Sequence, residues 1–149
     1  MLVDSTQVHE KVHRYTPPNA VKQENIMDRF LTIAARVLMA QLFILSGWMK
    51  ITGYSGTVGY FGSMGLPGIL VPLVIIIELG GGLLLLFGYK TKWVAIILAL
   101  FTLGSALIAH LHLSDPLQFI NFTKNLAITG GLLLFVKYGA GKPSIDEKD

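Results

Sequence analysis

Only a few ionisable side chains lie within the apolar stretches of this 149-residue chain, and these are the residues that could do chemistry. Arg36 is the first; Ala40, Phe43, Gly47 and Lys50 follow it at spacings near the 3.6-residue period, so they share one helix face. Glu78 stands almost at the centre of a second apolar run. Gly81 and Gly82 follow it at i+3 and i+4, small residues that let a neighbouring backbone come close. A third run ends in His110 and His112, with Thr102, Ala106 and His110 in one small or polar stripe. The fourth carries Asn121, Lys124 and Asn125 in its first half, beside a ridge of Thr123, Ala127 and Gly131. A charge at the centre of a bilayer costs about 2.5–3.5 kcal/mol on insertion scales, so such groups pair with one another or face a cavity.

Depth relates these residues to each other. At a rise of about 1.5 Å per residue, Glu78 falls near the midplane of its run, with Arg36 on one side of it and Lys124 on the other. Both cations have long side chains. The expectation is a buried Arg36–Glu78–Lys124 network, with Asn121 and His110 above it and the glutamate ionised by its two cations. Two uses of such a set stay open. It could fix helix register without doing chemistry. It could also wall a polar pocket, open to the outside, that holds an anionic or quinone-like headgroup.

Several other chemistries are excluded. His110 and His112, two residues apart, do not share a helical face, so no metal site is expected; they read as interfacial polar residues. Bis-histidine haem needs ligands from two helices, and the other three apolar runs contain no histidine. Cysteine is absent, which removes disulfides, iron–sulfur clusters and thiol redox chemistry. No glycine-rich phosphate loop, metalloprotease His-Glu motif or nucleophile elbow is present, so nucleotide and hydrolytic chemistry have no support. The basic residues do not gather on one soluble face, which argues against nucleic acid as a partner.

These residues need elements to hold them, and composition says which. Charged residues make up 14% of the chain, against about 25% in soluble domains, and mean hydropathy is +0.60. A chain this poor in charge cannot cover a soluble surface. Its apolar runs, at roughly 30–49, 69–88, 93–111 and 119–136, are each long enough to cross a hydrocarbon core of about 30 Å as a helix. The fold class expected is all-α, a four-helix transmembrane bundle occupying 29–138. A tail at 1–28 precedes it, with Ser5 able to cap a short helix bearing Val8, Val12 and Tyr15, and a second tail at 139–149 follows it. Nine basic residues lie in the two tails, at their junctions with the spans (Arg29 and Lys137) and in the 89–92 turn, while Lys50 stands alone in the longer loops. By the positive-inside rule both termini are then cytoplasmic. In the 50–68 loop, Ser55 is expected to cap a short interfacial helix carrying Val58, Phe61 and Met64, ended by Gly65 before Pro67.

Four stretches now carry a family resemblance. Residues 35–54 (ARVLMAQLFILSGWMKITGY), 63–67 (SMGLP), 77–92 (IELGGGLLLLFGYKTK) and 119–134 (FINFTKNLAITGGLLL) resemble, in this order, the DoxX family of small membrane proteins. The pattern emphasises Arg36, Gly47, Lys50, Gly65, Pro67, Glu78, Gly88, Lys124 and Asn125; Lys92 stands where relatives often have arginine. The resemblance implies a multi-pass bacterial inner-membrane protein and a redox association: a non-catalytic subunit of a quinone-linked assembly. Quinone or lipid would be the ligand, with Arg36, Lys50, Glu78, His110, Asn121, Lys124 and Asn125 around it. The bilayer, a redox partner protein and further copies of the chain would be its partners. A small-solute or lipid transporter, and a scaffold with a structural ion network, are the alternative readings.

Overall fold

The computed structural model describes residues 18–148, with side chains described over 26–146; the short helix expected after Ser5 lies outside the described residues. Helix α1 runs Pro18–Thr52, α2 Tyr54–Ser63, α3 Leu70–Phe87, α4 Thr91–Ala109 and α5 Pro116–Tyr138, and a 3₁₀ turn spans Ile145–Lys148. Helices α1, α3, α4 and α5 are each long and apolar enough to cross a membrane. The four-span all-α architecture is therefore the one the composition requires. α1 begins inside the stretch expected to be a tail. Pro18 suits a first helical turn, and Ala20, Lys22, Gln23 and Glu24 after it are good helix formers.

Local signals explain most of the ends. Asp115 caps α5: its Oδ1 accepts from the amides of Leu117 (2.8 Å) and Gln118 (3.4 Å), and Pro116 opens the helix. α3 stops at Gly88, whose φ of +67° is open to glycine and strained for other residues. The α2 helix forms where expected, but Gly53 precedes its first turn and Ser55 lies inside it, so the expected serine cap is not made. α4 ends at Ala109, which leaves both histidines in the connection to α5.

The contact between α1 and α3 sets the register of the bundle. A Cβ on Gly47 would lie 2.9 Å from the Leu79 amide nitrogen, and one on Gly82 3.0 Å from that of Ile44. Backbone thus meets backbone, as small residues permit. Moving three residues back along α1, from Gly47 to Ile44, moves three forward along α3, from Leu79 to Gly82, so the helices run antiparallel in fixed register. Halfway along α3, Ile76–Gly80 forms a π-helical turn with Glu78 at its centre.

α4 and α5 form the most extensive helix pair; α1 packs on α3 and α3 on α4, while α1 and α5 meet sparsely. The packed core comprises Ala40 and Phe43 of α1, Leu85 of α3, Val94, Ala95, Leu98 and Ala99 of α4, and Leu132 of α5. It occupies the half of the bundle that ends at Gly88. Leu38, Ile76, Trp93 and Leu134 are exposed and form part of the apolar outer face, as expected where lipid rather than water is the solvent.

Candidate functional site

The half of the bundle away from Gly88 is hollow. A cavity of about 890 Å³ lies between the four spans and α2. Most of its wall is apolar: Leu42, Val74 and Ile77 come from α1 and α3, Phe101 and Ile128 from α4 and α5, and Tyr60 and Phe61 from α2. The polar part of the wall is Ser46, Lys50, Thr57, Glu78, Thr102, Ser105, His110, Lys124 and Asn125.

Glu78 is the centre of that wall. The residue is buried, 6% exposed. Oε1 accepts from Ser46 Oγ and from Lys50 Nζ, each at 3.1 Å. Lys50 Nζ also stands 2.8 Å from Oε2 and donates to Ser46 Oγ at 2.7 Å. Oε2 takes this ionic contact without a directed hydrogen bond. Ser46 and Lys50 sit one turn apart on the last turns of α1, and the π turn presents Glu78 to them. Such turns recur at functional sites because they re-aim a side chain out of the regular helical sequence.

The expected Arg36–Glu78–Lys124 network is not formed. The α1–α3 register explains why: carried eight residues beyond the Ile44–Gly82 contact, it sets Arg36 level with the end of α3. That is about 18 Å along the axis from Glu78, twelve residues at about 1.5 Å each. Arg36 is instead buried at the Gly88 end, where its Nη2 donates to the Pro143 carbonyl and its Nη1 lies against Gly88. The 139–146 segment folds back over this end. Thr32 Oγ1 donates to the Lys142 carbonyl at 3.1 Å, and the Asp146 amide to the Gly88 carbonyl at 2.8 Å. The Asp146 carboxylate accepts from the amides of Lys90 (2.6 Å) and Thr91 (2.8 Å), capping α4 from a distance, and lies within Coulombic reach of Arg36. Burial acts to raise the Asp146 pKa. Hydrogen bonds from Thr91 and from the Lys90 amide, with the charge of Lys90, hold it below its ordinary 3.8.

Lys124 does line the cavity, but its Nζ donates to Asn121 Oδ1 at 3.0 Å and makes no bond to Glu78. His110 places Nδ1 2.7 Å from Gln118 Oε1, so that ring nitrogen donates to the amide oxygen. The structure thus brings Lys50, Glu78, His110, Lys124 and Asn125 to one cavity, reaches Asn121 only through Lys124, and sends Arg36 to the opposite end. Sequence reasoning missed Ser46. Its place four residues before Lys50, on the Arg36 face, was the signal that could have found it. The carbonyl of Pro143 and the carboxylate of Asp146 carried no such signal, because they act from beyond the last span.

Fold and cavity together define a class: a four-span helical membrane protein with a charged-walled chamber at one end. Comparison with known proteins names that class. The chain belongs to the DoxX family, whose profile matches residues 31–111. It is 48% identical to the inner membrane protein YqjF of Escherichia coli over 76% of this chain and 88% of that protein. It is 32% identical to the inner membrane protein YphA of the same organism, over 79% of this chain and 89% of that one. A Bacillus subtilis protein named "Putative oxidoreductase CatD" is 36% identical over 50% of this chain and 55% of its own length. No solved structure matches the chain. It is a multi-pass inner-membrane protein.

Proposed function

We propose that this protein is a non-catalytic membrane subunit of a quinone-linked redox assembly, and that the cavity receives the quinone's headgroup. One observation carries the reading: a half-buried, hydrogen-bonded charge pair, Lys50–Glu78 with Ser46, stands at the wall of an apolar chamber of about 890 Å³. That combination suits an amphiphile with a flat polar head, since ligand sites are mostly apolar with a few polar groups fixing orientation. The ammonium groups of Lys50 and Lys124 and the amide of Asn125 are donors suited to quinone carbonyls. The chain has no cysteine and supplies no redox centre, so electrons would come from a partner protein. The name of the Bacillus relative agrees with a redox setting. With both termini cytoplasmic, as the basic residues argue, the chamber opens towards the outer face, and α2 acts as its lid.

The test is binding. Protein purified in mild detergent should carry extractable quinone and should bind added decylubiquinone saturably. Glu78→Gln, which leaves Lys50 without its counter-charge, should weaken that binding about tenfold or more. Non-saturable uptake, or equal binding by the variant, contradicts the proposal. A lipid-carrying role is the second reading, favoured by the sparse contact between α1 and α5 beside the cavity, a seam through which a chain could enter from the bilayer. Lipid exchange between vesicles, accelerated by the reconstituted protein, would support it.

A further inference from the structure

The chamber's charges do not balance, and the imbalance specifies the ligand further; this rests on the reading of the cavity as a binding site. Among the described residues lining it, the formal charges are those of Lys50, Glu78 and Lys124. Lys50 and Glu78 neutralise each other at 2.8 Å. Lys124 faces only the neutral amide oxygen of Asn121. His110 offers it no counter-charge, and Nδ1 of that ring is already engaged with Gln118. Two cations therefore meet one carboxylate; Lys124 is exposed, at the open side of the chamber in the first half of α5, while Glu78 is buried. Lys124 also turns back one helical turn towards the loop end of α5, which keeps its ammonium on the polar side of the chamber while Phe101 and Ile128 line its apolar side.

We infer that the cavity selects an amphiphile whose head carries a single negative charge, and that Lys124 is the residue that selects it. An oxyanion on an apolar body would exchange the Asn121 contact, an ammonium bonded to a neutral oxygen, for an ion pair that bonds Lys124 and also neutralises its charge. Glu78, already satisfied by Lys50, would repel a second negative charge. The same oxyanion chemistry has two sources in a bilayer: the carboxylate of a fatty acid, and a quinone head in a reduced, anionic state. Lys124 acts here as a specificity-determining residue and takes no part in a reaction.

The experiment uses the full chain in nanodiscs of uncharged phosphatidylcholine. Oleate and oleyl alcohol, equal in chain length and different in charge, are titrated separately. Oleate should bind about tenfold tighter or more. Lys124→Gln should bring the two to near equality by weakening oleate alone, and Lys124→Arg should restore the difference. Equal binding of the two probes by the wild type overturns the inference, as does a preference that survives Lys124→Gln. Decylubiquinone is then added as competitor, oxidised and reduced. Stronger displacement of oleate by the reduced form supports both the charge selection and the quinone as occupant; equal displacement by the neutral oxidised form counts against the charge selection. A carboxylate preference that depends on Lys124, with no displacement by quinone, keeps the inference and removes the quinone reading of the site.

Discussion

The two ends of this bundle bury charge in opposite ways. At the Gly88 end, Arg36 is enclosed by its own chain: its guanidinium donates to the Pro143 carbonyl, lies against Gly88 and feels the charge of Asp146, with Nε left unpaired. At the other end, Lys50 and Glu78 also satisfy each other, yet they do so on the wall of a chamber. A buried charge in a membrane span is therefore not by itself a binding site. On the proposed reading, what separates the two ends is whether the chain fills the volume beside the charge. Two glycines make the same contrast. A Cβ at Gly88 would fall on Arg36, Ser144 and Ala140, whereas one at Gly104 would meet nothing within 4 Å.

The sharpest way to break the comparison is at the filled end. Gly88→Ala forces a positive φ on a residue with a Cβ and drives that atom into Arg36. It should destabilise the protein by about 2–5 kcal/mol, read by thermal or denaturant unfolding in detergent. Next, Arg36→Met keeps much of the volume but removes the donor to Pro143, and should cost about 1.5–3 kcal/mol. It should also expose the 139–149 segment to proteolysis without changing ligand binding at the other end. If Arg36→Met instead abolished binding and left the tail protected, the division between the ends would fail.

A smaller effect is expected from Asp146→Asn, about 1 kcal/mol for a weakened helix cap, and it carries a pH signature. The Asp146 carboxyl titrates below its ordinary 3.8 in the folded protein. Its contribution is thus fully present above that value and is lost as the pH falls below 3.8 through the lower folded value. The difference in unfolding between wild type and Asp146→Asn should shrink over that acid window and stay constant from pH 5 to 8. A difference that grew on acidification would contradict the assignment.

Much of this was legible in the sequence, for physical reasons. Hydropathy and length gave four spans because a bilayer leaves the backbone no alternative to helices here. The Arg36 face was read correctly along α1, since Ala40 and Phe43 are buried and Lys50 reaches Glu78. Spacing along one helix said nothing of its register against another. That register comes from Gly47 and Gly82 meeting backbone on the opposite helix, and it moved Arg36 out of reach of Glu78 and put Lys50 in its place. The π turn at Ile76–Gly80 was equally invisible, because a local change of winding leaves no mark in apolar periodicity. The docking of the 139–146 segment depends on backbone carbonyls and amides, which every sequence has.

The central claim is that the chamber, and not the buried charge as such, is the functional element. The most direct measurement is decylubiquinone binding to Gly104→Leu beside the wild type, with unfolding followed on the same samples. Gly104 lines the cavity in α4 and its Cβ position is open. A leucine there should fill part of the chamber while favouring the helix by several tenths of a kcal/mol, up to about 1. The account predicts a variant at least as stable as the wild type that has lost quinone binding. A folded Gly104→Leu protein that binds decylubiquinone with wild-type affinity would contradict it.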